Sequence, residues 1–124
     1  MAETEKEKIM YIGTHGGEDP ERASLPFVLA NAAQVMEVEA VVVLQGAAVF
    51  LAKKGYLQHV HSAGFAPLQE LVNSFIEAGG RLLVCVPCIQ ERKIDESDLI
   101  EHAVPTAGGS LVLEILEANA TLVY

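Results

Sequence analysis

Val41-Val42-Val43-Leu44 is apolar at four consecutive positions, so a strand built from it has no polar face to turn toward water. Such a run needs cover on both sides, the environment of a strand inside a parallel sheet. Leu82-Leu83-Val84, at the centre of an expected strand over 81–86, has the same character. A shorter apolar run over 9–12, ending at Gly13, reads as the first strand.

Helical patterns separate these runs. Asp19-Pro20 supplies an N-cap and a proline for the first helical position. Leu25, Val28, Leu29, Ala32, Val35 and Met36 then recur at helical spacing as an apolar face. Pro26 falls inside this stretch, which makes Ser24 an alternative start. A short helix over 47–54 follows Gly46, and 59–66 reads as an exposed loop with His59 and His61. Pro67 opens a helix with Leu68, Leu71, Val72, Phe75 and Ile76 on one face, stopped by Gly79-Gly80. Residues 95–103 read as a short helix capped by Asp95 or Ser97. A last helix over 111–118 follows Gly108-Gly109-Ser110, and 121–124 is a final strand.

The alternation predicts a three-layer α/β/α domain with a mainly parallel sheet and helices on both faces. Four strands are clear and 103–106 is a candidate fifth; the pattern leaves strand order open. Residues 1–8 read as a flexible charged leader and 9–124 as the single domain.

Hydrophobic residues make up 51% of the 124, enough for a core of Val, Leu, Ile and Ala although Trp is absent. The net charge of −9, from 17 acids and 8 bases, argues against binding nucleic acid or an anionic membrane surface. Residues 41–80 carry only two acids and two bases, which suits a buried core or a subunit interface. Without an apolar stretch at its charged start or an 18-residue apolar run, the chain is expected in the cytoplasm.

In such sheets ligands bind beyond the carboxyl ends of the strands, where the loops 14–19, 45–47 and 85–94 are expected. Cys85 ends a strand and precedes an expected helical turn over 88–92. A helix N-terminus and the charge of Arg92 would both lower its thiol pKa. Packing as a small buried hydrophobe fits the pattern equally well. Cys85-Val86-Pro87-Cys88 has the spacing of a redox pair, but it does not open a long helix near the chain's start as a thioredoxin motif does. One CxxC supplies half the ligands of a zinc site, and His15, His59, His61 and His102 are scattered, so no metal and no cofactor are expected. Gly16 and Gly17 match no nucleotide-binding loop and fit a tight turn, but backbone amides beside a helix N-terminus can hold an anion, which makes Gly16 a substrate-binding candidate. His15, in a loop at the ligand edge, is the better candidate there.

The segment Leu83-Val84-Cys85-Val86-Pro87-Cys88-Ile89-Gln90-Glu91-Arg92-Lys93-Ile94 resembles the active-site segment of the DsrE/DsrF-like family. The resemblance extends to the opening strand, loop and helix and to the closing helix and strand. That family includes the DsrE and TusD sulfur-relay proteins and a branch loosely called predicted peroxiredoxins, to which this chain is most similar. The resemblance implies an α/β/α domain, assembly into homotrimers or homohexamers, a sulfur-accepting role for Cys85, and the family's arginine at Arg92. Lys93 stands where sulfur-relay members often have glycine, and Cys88 where TusD-like members have a small residue.

Three functions follow in order of preference. The first is a sulfurtransferase-like sulfur carrier, with a persulfide on Cys85, charge stabilised by His15 and Arg92, and donor and acceptor proteins or small thiols as partners. The second is thiol redox chemistry using Cys85 and Cys88 together. The third is a non-catalytic oligomeric binding protein using apolar surface at 47–52 and 60–66.

Overall fold

The structure, a computed structural model, describes residues 6–124. Residues 1–5 of the expected leader lie outside the described residues. The strands are β1 (Lys8–Gly13), β2 (Glu39–Leu44), β3 (Arg81–Cys85), β4 (Ala103–Thr106) and β5 (Ala120–Val123). The helices are α1 (Pro20–Val35), α2 (Leu68–Glu77), α3 (Val86–Glu91) and α4 (Gly108–Glu117). All strand pairs are parallel, in the order β4-β3-β2-β1-β5.

The apolar runs divide by alternation, as pleating requires. Val42, Leu44, Leu82 and Val84 face α1 and α2, whereas Met10, Ile12, Val41, Val43 and Leu83 face α4. Strand β1 begins at Lys8 rather than residue 9, and the candidate strand over 103–106 is β4. Val86 belongs to α3, because Pro87 is tolerated in a helix's first turn but not in a ladder.

Helix α1 starts at Asp19, whose carboxylate accepts from the Arg22 N–H at 3.1 Å. The Ser24 hydroxyl is instead bonded to the Pro20 carbonyl at 2.8 Å, so Ser24 is no cap. Its inward face is also not the one expected. Ala23, Phe27, Ala30 and Ala33 are buried, while Val35 and Met36 are 82% and 75% exposed. Small residues let α1 approach the sheet closely, and Phe27 fills the space toward α2 by meeting Phe75 edge-to-face.

In 47–52, Ala48, Val49, Leu51 and Ala52 are buried in the core; in 60–66 only Val60 is, while Ala63 and Ala66 are exposed and Phe65 is half-buried. The helix expected over 95–103 is only a 3-10 turn, Glu96–Asp98. Leu99 is buried and bridged to Lys53, and the Ile100 N–H bonds to the Ala52 carbonyl, which draws the chain out before β4.

Helix α4 is tied to the amino-terminal edge of the sheet by charge. The Arg81 guanidinium donates to both Glu114 oxygens at 3.0 and 2.6 Å, and Lys8 Nζ lies 3.3 Å from Glu114 and 3.4 Å from Glu117. The hydrogen bonds from Arg81 outweigh burial and hold the Glu114 carboxyl below its usual range. A depressed folded-state pKa adds stability that is complete above the unfolded value and vanishes as pH falls through the folded one. Glu114→Gln is therefore expected to cost about 1 kcal/mol at neutral pH, a discount for partial exposure included. That difference should shrink as pH drops below the ordinary glutamate value of 4.5. Denaturant titrations of both proteins across acidic pH measure it, and a difference that does not change with pH would deny the pair this role.

Candidate active site

Cys85 is the last residue of β3 and the N-cap of α3, so the change from strand to helix falls on the cysteine itself. Thr106 of β4 pairs beside it. Cys85 borders a pocket of about 90 Å³ whose walls include Val43, Gln45, Pro87, Thr106, Gly108 and Leu111. A water occupies about 30 Å³ in the liquid, so a group of a few atoms fits. The first turn of α4 forms one wall, its N-cap Ala107 offers no side-chain cap, and nothing lies within 4 Å of where Gly108 or Gly109 would carry a Cβ. The positive end of a helix dipole at a thiol favours its anion.

Cys88 stands at the third position of α3. The two cysteine Cα atoms are 5.3 Å apart and the sulfurs face each other in disulfide contact, within the disulfide range of roughly 4.4–6.8 Å. The Gly46 N–H donates to Cys88 Sγ at 3.3 Å. Gly46 holds φ at +55°, a left-handed conformation natural to glycine, and the neighbouring Gln45 N–H is bonded to the Gly13 carbonyl at 2.9 Å.

The three loops expected at this edge do meet. A Cβ on Gly16 would stand 2.7 Å from the Ala47 carbonyl oxygen, so the 14–19 loop lies directly on the 45–47 turn. His15 Nδ1 is 3.0 Å from a Glu18 carboxylate oxygen, and the Gly16 N–H donates to the other oxygen at 2.7 Å. Burial opposes ionisation of Glu18, yet these hydrogen bonds prevail and its pKa is lowered. The Gly17 N–H donates to the Tyr56 hydroxyl at 3.0 Å, and the Tyr56 ring stacks on Phe50.

Arg92 does not bond to a sulfur. Its guanidinium donates to the Cys88 carbonyl at 3.2 Å, bracing the turn that carries the cysteine. His15 bonds to Glu18 and likewise reaches neither sulfur by hydrogen bond. Lys93 sits at φ +57° where α3 ends, which explains why glycine suits this position. Glu18 and Tyr56 are the partners that sequence reasoning missed. Glu18 was open to discovery from its spacing of three residues to His15, whereas Tyr56 acts across 39 residues.

The other histidines lie elsewhere: His61 bonds to the Phe65 carbonyl, and His59 and His102 are exposed. Among the described residues, no group of three His, Cys, Asp or Glu side chains is placed to hold a metal ion. No helix there is long and apolar enough to cross a membrane.

Comparison with known proteins places this geometry among relatives. The model of the DsrE/DsrF-like family matches residues 7–124. The uncharacterized protein MJ0760 of Methanocaldococcus jannaschii is 29% identical over 115 residues, which is 93% of this chain and 42% of that protein. The chain thus spans less than half the length of that relative. The crystal structure of the ychN protein from E. coli superposes with a TM-score of 0.80 at 18% identity, covering 95% of this chain and 99% of that one. MTH1491 from Methanobacterium thermoautotrophicum, a protein of unknown function, superposes with a TM-score of 0.66 at 15% identity, covering 97% and 100%. At these identities the two structures establish the fold alone.

Proposed function

The chain belongs to the DsrE/DsrF-like family, and from that premise we propose that it is a sulfurtransferase-like sulfur carrier working through Cys85. The Cys85 thiolate attacks a sulfane sulfur of a donor, the donor's sulfur–sulfur bond breaks, and the donor leaves with the bonding electron pair. An acceptor thiolate, on a partner protein or a small thiol, then attacks the outer sulfur of the Cys85 persulfide and restores the thiolate. Such chemistry requires the anion as nucleophile.

The observation that carries this reading is the position of Cys85, at a strand's carboxyl end on the wall of a small pocket with room for an added sulfur atom. The uncapped first turn of α4 supports the anion. Gly16 holds the neighbouring loop against the 45–47 turn, and His15 and Arg92 border the same edge as contacts for a donor. Assembly into homotrimers or homohexamers is supported by the outer face of α4, where Val112, Leu113 and Leu116 are exposed. A second reading, dithiol redox chemistry, is favoured by the contact between Cys85 and Cys88.

The test places the sulfur. Cys88→Ser protein is exposed to inorganic polysulfide, alkylated, digested and analysed by mass spectrometry. An extra sulfur on the peptide bearing Cys85 is expected, and none at all in Cys85→Ser. Sulfur on neither, or on both, would reject the carrier reading.

A further inference from the structure

Resting on the carrier reading, we propose a second activity for the same site: Cys88 discharges an unclaimed sulfur from Cys85 as hydrosulfide. A carrier needs one cysteine. This site has two, and they are not equivalent. Cys85 borders the pocket, which opens on the α4 side of the sheet between Val43 and Leu111. Both cysteines pack against the cluster formed by α1, α2 and the turn after β2, but Cys88 is not on the pocket wall. Among the described residues, Gly46 N–H is the hydrogen-bond donor on a cysteine sulfur, and that sulfur is Cys88. An N–H aimed at a sulfur favours its thiolate.

A persulfide on Cys85 puts its outer sulfur in the pocket. The inner sulfur, Cys85 Sγ, then has the outer sulfur on one side and Cys88 Sγ on the other. Displacement at sulfur runs in line, with nucleophile and leaving group opposed, so the step requires the outer sulfur to lie on the pocket side, away from Cys88. The Cys88 thiolate attacks Cys85 Sγ and forms the Cys85–Cys88 bond. The bond to the outer sulfur breaks, and that sulfur leaves as hydrosulfide with the electron pair and the persulfide proton. The sulfane sulfur gains two electrons, and the two cysteines together lose them. A dithiol reductant reopens the disulfide by exchange. The bound sulfur thus has two exits: an acceptor takes the outer sulfur from the pocket side, or Cys88 attacks the inner one from behind.

Reduced wild type, Cys88→Ser and Cys85→Ser are each mixed anaerobically with inorganic polysulfide, desalted and weighed by intact-mass spectrometry. Wild type is expected to become two hydrogens lighter, Cys88→Ser one sulfur heavier, and Cys85→Ser to stay unchanged. A wild type that keeps one added sulfur through desalting overturns the discharge step and leaves the carrier reading intact, whether or not Cys88→Ser folds well. Sulfur retained by Cys85→Ser overturns the assigned order of attack. Failure of a folded Cys88→Ser to take sulfur removes the carrier reading and this inference with it.

Discussion

Phe75→Ala is expected to lower folding stability by about 3–5 kcal/mol, the range for removing a buried aromatic ring. Phe75 is fully buried, and its ring meets Phe27 with centroids 5.6 Å apart and planes at 78°. The ring also fills the space beside Gly80, where a Cβ would collide with it. Gln34 Nε2 of α1 donates to the Phe75 carbonyl at 2.9 Å, so the cavity would open where the two helices are already fastened together. The loss is a large part of a total of about 5–15 kcal/mol. Urea unfolding measures it as a lower midpoint at similar slope. A loss below about 1 kcal/mol would mean that the two rings do not anchor α1 and α2 in the core.

Gly16→Ala is expected to damage the site more than the fold. The new Cβ would lie 2.7 Å from the Ala47 carbonyl oxygen, a backbone atom that no side-chain rotation can move aside. The loop has little freedom to yield, because Gly16 N–H is bonded to Glu18, the Asp19 N–H to the Gly16 carbonyl, and Gly17 N–H to Tyr56. The 45–47 turn must then shift, taking with it the Gly46 N–H that bonds to Cys88 and the Gln45 wall of the Cys85 pocket. Overpacking of this kind costs about 1–3 kcal/mol. If about 1.4 kcal/mol of it falls on the reacting geometry, sulfur uptake slows about tenfold. Gly64→Ala is the control, since nothing lies within 4 Å of its Cβ position. Equal uptake rates in the two variants would detach the 14–19 loop from the site.

The strands were legible because both faces of this sheet are covered, which leaves unbroken runs such as Val41-Val42-Val43-Leu44. Their order was not, since an apolar run bears no mark of its neighbour. The inward face of α1 was misread because close approach, not hydropathy, selects it: Ala23, Ala30 and Ala33 go in and Val35 and Met36 stay out. The expected helix over 95–103 gave way to tertiary bonds, from the Ile100 N–H to the Ala52 carbonyl and from the Lys54 N–H to the Asp98 carbonyl, that no local pattern announces. Within the site, Cys85 and Cys88 stood out by position and spacing, and Arg92 by resemblance. The bonds from Gly46 to Cys88 and from Gly17 to Tyr56 span 42 and 39 residues and exist only in the folded chain.

Transfer of labelled sulfur tests the central claim most directly. A donor carrying isotopically labelled sulfane sulfur is mixed with the protein and a small acceptor thiol, and the label is followed from donor to protein to acceptor. The account predicts that label reaches the acceptor through a protein-bound state that is lost in Cys85→Ser and retained in Cys88→Ser. Label that reaches the acceptor at the same rate with Cys85→Ser, or that never enters the folded protein, would contradict it.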